Sequence, residues 1–117
     1  MPLRCLIVDD NVSFAKAAGA LLAREGLEVV GVAENATAAL RETRALRPDV
    51  VLLDIVLGGE SGFDVARELI ADGDGSTIIF ISTHSEADFA ELIADAAAAG
   101  FISKSELSAE AILRLAA

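Results

Sequence analysis

The segment "DVVLLD", residues 49–54, decides the fold class, because four apolar residues stand in a row between two aspartates. A strand with apolar residues at every position is buried on both faces, as the strands of a helix-covered parallel sheet are. The run "IIFI", residues 78–81, has the same character. The sequence therefore predicts a parallel sheet with helices on both sides.

Outward from this segment, short apolar runs alternate with longer stretches of helical periodicity. Asn11 is a candidate cap of the first helix, and Gly26 stands just past its end. The second helix is expected to stop before Arg47-Pro48, since a residue before proline resists helical dihedral angles. The alternation predicts one doubly wound α/β domain over residues 1–117. Its strands are expected at 3–8, 27–32, 49–54, 77–82 and 100–103, and its helices at 11–24, 36–46, 62–71, 86–98 and from 108 onwards.

Composition excludes several classes of function for this domain. The 9 basic and 19 acidic residues give a net charge of −10, which argues against contact with nucleic acid or with an anionic membrane. No apolar run approaches the roughly 18 residues that span a bilayer. The first strand follows Met1 so closely that no signal peptide is expected. Cys5, the single cysteine, is predicted to be a buried packing residue, which fits a cytoplasmic protein.

Polar residues follow four of the five predicted strands at the same edge of the sheet. They are Asp9 and Asp10 after the first strand, Asp54 on the third, Ser82 on the fourth and Lys104 after the fifth. Ligands of such sheets bind beyond the carboxyl ends of the strands. Three carboxylates about 5 Å apart repel by roughly 3 kcal/mol a pair at an effective dielectric of about 20, more than one lysine offsets. Oxygen ligands without cysteine or histidine indicate Mg²⁺ or Mn²⁺.

A magnesium site of this kind indicates a phosphoryl group, because Mg²⁺ keeps some waters and commonly binds a phosphate oxygen together with carboxylates. Asp54 is the candidate nucleophile, and Asp9 and Asp10 would hold the cation directly or through water. Lys104 and the Ser82 hydroxyl would contact the other phosphoryl oxygens. Taken singly, each aspartate could be a helix cap, Ser82 a turn hydroxyl and Lys104 a surface lysine. Their convergence at one edge favours a site.

From residue 3 to residue 115 the chain resembles the receiver domain of bacterial two-component response regulators. The resemblance implies a flavodoxin-like (βα)5 doubly wound parallel sheet with strand order 2-1-3-4-5. The matching residues are Asp9 and Asp10 in "LIVDD", Asp54 in "DVVLLDI", Ser82 closing "IIFIS", Lys104 in "FISKS" and Gly62 in "LGGESG".

The resemblance also implies a phosphorylation reaction and its participants. A cognate histidine kinase would transfer a phosphoryl group to Asp54, with Lys104 and Ser82 assisting. The cofactor would be Mg²⁺ or Mn²⁺, held by Asp9, Asp10, Asp54 and the backbone carbonyl of Val56.

Phosphorylation operates a switch in this family. Ser82 would move toward the phosphoryl group and Phe101 would turn inward, which remodels the surface of helix 4, strand 5 and helix 5. Family members dimerise or meet their outputs on that surface. Val56 and His84 stand at positions that tune the lifetime of the acyl phosphate. The plainer alternatives, a core aromatic for Phe101 and a loop residue for His84, stay open.

The chain departs from the family pattern at three positions. Gly58 and Ser105 stand where the family usually has prolines, and a more mobile loop after Asp54 is expected. Thr83 replaces a small residue and could crowd access to Asp54. The segment "RPDVVLLDI" and the pair "KS" look most like receivers fused to a helix-turn-helix DNA-binding domain, so transcription is the expected output.

Other classes of protein fit less well. A phosphatase of the haloacid dehalogenase type needs a second carboxylate two residues after its nucleophile, where Val56 stands. A flavodoxin needs Trp or Tyr to sandwich its flavin ring, and this sequence has neither. A nucleotide hydrolase of the P-loop type is not supported, because the sequence has no GxxxxGK[ST] loop. The segment "DGDGST", residues 72–77, is predicted to be a turn and not a calcium loop. A degenerate receiver, acting only as a protein-interaction module, remains as the alternative.

Overall fold

Five strands of the computed structural model, which describes residues 2–73 and 75–116, form one parallel sheet. Each strand is parallel to its neighbours, and the order is 2-1-3-4-5 along the sheet. The central strand is buried along its whole length, as its unbroken apolar run predicts. The predicted order is therefore confirmed. The strands are β1 Arg4–Val8, β2 Glu28–Ala33, β3 Val50–Asp54, β4 Thr77–Ser82 and β5 Gly100–Ser103.

Helices cover both faces of the sheet. Successive residues of β1 point to opposite faces, so that Cys5 and Ile7 pack with α1 and α5, and Leu6 and Val8 pack with α2 and α3. None of the described helices is long and apolar enough to cross a membrane. The helices are α1 Val12–Arg24, α2 Ala36–Leu46, α3 Gly62–Asp72, α4 Ala90–Asp95 and α5 Ala109–Ala116.

The helix ends agree with the sequence signals, with one difference in mechanism. Asn11 caps α1, since its Oδ1 accepts a hydrogen bond from the Phe14 amide at 3.1 Å, and Gly26 is left-handed with φ of 99°. Helix α2 stops before Pro48 as predicted. Arg47 is the residue that ends this helix. Its backbone is left-handed, with φ of 46°, whereas a residue before proline is usually extended. The Arg4 guanidinium donates to the Arg47 carbonyl at 3.1 Å and so holds this turn.

The prediction of one helix over residues 86–98 is wrong. The chain forms a single 3-10 turn at Glu86–Phe89 and then α4, and Ala96 is already extended, with ψ of 141°. Alanine favours a helix, but the Ala99 amide donates to the Ile78 carbonyl at 2.8 Å and leads the chain to the sheet edge. Pairing with β4 therefore overrides the helical propensity of the alanine run.

A small hairpin follows β3, which the sequence did not predict. Residues Val56–Leu57 pair in antiparallel fashion with Glu60–Ser61 across the turn at Gly58 and Gly59. Gly58 has φ of 57°, a value that proline, fixed near −65°, cannot adopt, so the glycine suits this turn where the family has proline. The Glu60 carboxylate accepts a hydrogen bond from the Ala36 amide at 2.9 Å and ties the hairpin to the start of α2.

The turn predicted at residues 72–77 surrounds Asp74, which lies outside the described residues. On either side of it Gly73 and Gly75 have φ of 73° and 83°, in the left-handed region that glycine adopts readily. Gly73 is the cap that ends α3. The glycines thus supply the backbone geometry that a sharp turn from α3 toward β4 needs.

Candidate metal and phosphoryl site

Three carboxylates meet at the carboxyl edge of the sheet. Asp54 ends β3, and Asp9 and Asp10 follow the neighbouring strand β1, so parallel pairing of the two strands brings them together. One oxygen of each carboxylate lies within 4.8 Å of one oxygen of each of the others. Asp9 and Asp54 are buried and Asp10 is exposed. The arrangement is an acidic pocket with one side open to solvent.

Lys104 inserts its ammonium group between two of these carboxylates. Its Nζ lies 2.7 Å from Asp9 Oδ2 and 3.1 Å from Asp54 Oδ2, and it donates a hydrogen bond to the latter. Burial lowers the pKa of Lys104, but its contacts with Asp9 and Asp54 outweigh that effect, so the pKa lies above its usual value of 10.5. The lysine therefore remains a cation throughout the neutral range.

Asp54 is held at both of its carboxylate oxygens. Oδ2 accepts the hydrogen bond from Lys104, and Oδ1 accepts one from the Val56 amide at 3.1 Å. Burial raises the pKa of Asp54 and the charge of Asp9 raises it further. The Val56 amide and Lys104 lower it without cancelling the rise. The negative charge of Asp54 is thus opposed by its surroundings, and an added cation would stabilise it.

Asp9 is a buried carboxylate whose two oxygens have different partners. Its Oδ1 accepts a hydrogen bond from the Asn11 amide at 2.9 Å. Its buried Oδ2 forms the ion pair with Lys104 but accepts no well-aligned hydrogen bond from any described residue. An incompletely bonded buried carboxylate oxygen, among three carboxylates without a sulfur or imidazole ligand, fits Mg²⁺ or Mn²⁺.

Ser82 ends β4 beside the pocket, but its hydroxyl is bonded to the loop after the strand. Its Oγ accepts a hydrogen bond from the His84 amide at 3.0 Å and lies 3.4 Å from His84 Nδ1. The exposed His84 ring meets Phe89 edge-on, with ring centroids 5.7 Å apart. Since the hydroxyl accepts in its bond with the His84 amide, its own proton can still be donated to another acceptor.

The remaining predicted residues lie on β5 and in the segments that follow β3 and β4. Phe101 is half-buried on β5 and packs against the core on the side of α2 and α3. The Val56 side chain is exposed, and its described link to Asp54 is the backbone amide. Thr83 is exposed beside Ser82. Leu92 of α4 is exposed as well.

Sequence reasoning missed Phe14 and the two backbone amides that hold Asp9 and Asp54. The Lys104 ammonium lies 4.4 Å from the centroid of the Phe14 ring. One signal was available, since Phe14 comes one helical turn after the acid pair and α1 begins directly at the pocket. The amides carry no signal in residue type, because every residue except proline has one.

An acidic pocket with a buried lysine at the carboxyl edge of a 2-1-3-4-5 sheet is the arrangement of two-component signalling receivers. The response regulator receiver domain family matches residues 5–116. The chain belongs to this family.

Relatives and solved structures agree with this assignment. The chain is 32% identical to the response regulator GacA of Pseudomonas viridiflava over 111 residues. This aligned segment covers 94% of this chain and 52% of GacA. It is 40% identical over 86 residues to the DNA-binding response regulator MtrA of Mycobacterium tuberculosis, over 74% of this chain and 37% of MtrA. The NarL receiver domain of Mycobacterium tuberculosis superposes with a TM-score of 0.86 at 30% identity, over 98% of this chain and 96% of that one. The chain thus spans about half of GacA and less of MtrA.

Proposed function

We propose that Asp54 is the phosphoacceptor of this receiver domain and takes its phosphoryl group from a cognate histidine kinase. The observation that carries the proposal is the position of the Asp54 carboxylate, fixed by the Val56 amide and Lys104 within 4.8 Å of two further acids. Both hydrogen bonds orient the carboxylate for attack at the open side of the pocket. Asp9, Asp10, Asp54 and the Val56 carbonyl would hold Mg²⁺ or Mn²⁺.

In the reaction, a carboxylate oxygen of Asp54 attacks the phosphorus atom of the phosphohistidine. The new P–O bond forms as the P–N bond breaks, and the histidine nitrogen leaves with the electron pair. The Lys104 ammonium places positive charge beside the acceptor, where it neutralises negative charge on the phosphoryl oxygens. The divalent cation, when bound, supplies further neutralisation of the same charge. The Ser82 hydroxyl, which accepts from the His84 amide, would donate its own proton in a hydrogen bond to a phosphoryl oxygen.

The domain would act as a switch and not as an enzyme with turnover, because Val56 stands where a phosphatase would need its second acid. The movements of Ser82 and Phe101 would remodel the surface of α4, β5 and α5, and His84 and Val56 would tune the lifetime of the phosphoryl group. A cavity of about 560 Å³ between β5 and α5, lined by Phe101, Ser103 and Arg114, supports this surface as a place for a second copy or an output.

The cellular setting is inferred from the relatives and the charge. MtrA is a DNA-binding response regulator, and we infer a transcriptional output, carried by a domain other than this one. Residues 1–117 would form one receiver domain. Its net charge of −10 would keep it from contacting nucleic acid or a membrane itself. Its single cysteine fits a protein of the cytoplasm. The acids and Lys104 are all in place, which does not favour a phosphorylation-independent interaction module.

Incubation with acetyl phosphate and MgCl₂ tests the acceptor directly. We expect intact-protein mass spectrometry to detect one added phosphoryl group on the wild type and none on Asp54→Asn, which keeps the shape of the side chain but lacks a nucleophilic carboxylate. Asp88→Asn, at an exposed aspartate outside the acidic pocket, is the matched control and should be phosphorylated like the wild type. An unmodified wild type, or an equal adduct on Asp54→Asn, would contradict the proposal.

Binding of the divalent cation is expected to raise the melting temperature of the wild type. A ligand that binds only the folded state stabilises it by about 2.7 kcal/mol at one hundred times its dissociation constant. A thermal unfolding series in MgCl₂ measures the effect. Asp10→Asn should reduce the shift, because it removes one carboxylate, and it should leave the core intact because Asp10 is exposed. A shift of equal size in the variant would count against ligation by Asp10.

A further inference from the structure

We propose that Phe14 is a positioning residue that holds the Lys104 ammonium group between Asp9 and Asp54. The inference deepens the proposed function and rests on it, because the position of Lys104 matters for phosphoryl transfer. It assigns a role to a residue of α1 that is neither acidic nor a metal ligand. The observation behind it is the distance of 4.4 Å between Lys104 Nζ and the centroid of the Phe14 ring.

The geometry is that of a cation–π interaction. An ammonium group within about 6 Å of a ring centroid is attracted by the negative face of the ring, and the attraction is stronger away from water. The Lys104 side chain is only 10% exposed, so little water competes for the ammonium. Two carboxylates and the ring together take the place of most of its hydration.

Asn11 links the acid that follows β1 to the first turn of α1, which carries the ring. The Asn11 amide donates to Asp9 Oδ1 at 2.9 Å, and the Asn11 side chain accepts from the Phe14 amide at 3.1 Å. The start of α1 therefore fixes Asp9 and Phe14 relative to each other. Lys104 follows β5, and its ammonium group contacts both the Asp9 carboxylate and the Phe14 ring.

This positioning matters because lysine is a flexible side chain with a compact charge. The contacts with Asp9 and Asp54 are charge attractions, which a compact ammonium can keep while it moves over the carboxylate oxygens. The ring opposes that movement, because leaving the ring face costs the cation–π attraction. A leucine at residue 14 would fill much of the same volume but would not attract the ammonium.

Nuclear magnetic resonance of the unphosphorylated protein tests the contact itself. In the wild type, the ring current of Phe14 should shift the Lys104 methylene protons nearest the ammonium upfield. We expect the upfield shift to disappear in Phe14→Leu and to persist in Phe14→Tyr, which keeps a ring. Thermal unfolding of each variant shows that it is folded. If Phe14→Leu does not fold, Phe14→Met takes its place.

Phosphorylation by acetyl phosphate in MgCl₂ then tests the consequence. We expect Phe14→Leu to slow the rate about three- to tenfold and Phe14→Tyr to restore it, in line with the usual strength of a cation–π contact. A merely structural role would make the rate follow stability and not the presence of a ring.

Two results would overturn the proposal: wild-type Lys104 shifts in Phe14→Leu, or equal rates in the leucine and tyrosine variants that match the wild type. A wild type that accepts no phosphoryl group would overturn the proposed function. The Lys104 shifts would still decide, independently, whether the ring holds the ammonium.

Discussion

Replacement of Lys104 by methionine is expected to lower the free energy of unfolding by about 3–5 kcal/mol at neutral pH without divalent cations, the usual cost of removing one partner of a buried ion pair. Lys104 Nζ contacts both Asp9 and Asp54, and both carboxylates are buried. Methionine keeps most of the apolar stem and removes the ammonium group with its contacts to Asp9 and Asp54. The variant would therefore hold two acids in a pocket that has no cation to offset their repulsion.

The loss of stability in Lys104→Met should increase as the pH rises. The pKa of Asp54 is already raised by burial and by Asp9, and Lys104 now lowers it, so removal of the lysine raises it further. A carboxyl whose pKa is higher in the folded state than in the unfolded state costs stability as pH rises through the range between the two values. The deficit of the variant should be small below about pH 4, near the usual pKa of aspartate, and should grow as pH rises toward neutrality.

Urea unfolding at several pH values, with and without MgCl₂, measures the effect. Mg²⁺ should recover part of the lost stability, because it supplies positive charge to the same carboxylates. Lys16→Met is the matched control, since Lys16 is the other lysine of the chain and is exposed on α1. Equal losses in the two variants, or a Lys104→Met deficit that does not change with pH, would show that the ion pair contributes no such stability.

The position of Lys104 also illustrates what the sequence could predict. The carboxyl ends of parallel strands meet at one edge, so a strand assignment alone brings Asp9, Asp54 and Lys104 together. That step needed only the apolar runs and their alternation with helices. The same reasoning could not supply the Phe14 ring, because its distance from Lys104 depends on how α1 packs against the sheet.

The end of α4 shows the same dependence on contacts that are distant in sequence. The alanines after residue 95 favour a helix in isolation, but the chain must extend there to pair β5 with β4. In this case a contact between two strands decides the conformation, and local residue type does not report it.

Gly62→Ala is expected to be the most damaging small substitution next to the pocket. A Cβ atom at residue 62 would lie 2.8 Å from Ile55 Cα and closer still to the Asp54 carbonyl oxygen. Both obstacles are backbone, so no side-chain rotation can relieve them. The Gly62 amide also donates to the Ile55 carbonyl at 2.7 Å, which holds the two segments at this close approach. The variant must separate the start of α3 from the end of β3.

The expected cost is about 1–3 kcal/mol of stability for overpacking, measured by urea unfolding, together with slower phosphorylation because the backbone of Asp54 itself is displaced. Gly59→Ala, in the hairpin just before α3, provides the matched control, since a Cβ there would meet no heavy atom within 4 Å. It should leave both stability and phosphorylation close to those of the wild type. A Gly62→Ala protein as stable as Gly59→Ala would mean that β3 and α3 can move apart freely. The position of Asp54 would then depend on its own hydrogen bonds to Val56 and Lys104 and not on the close packing behind it.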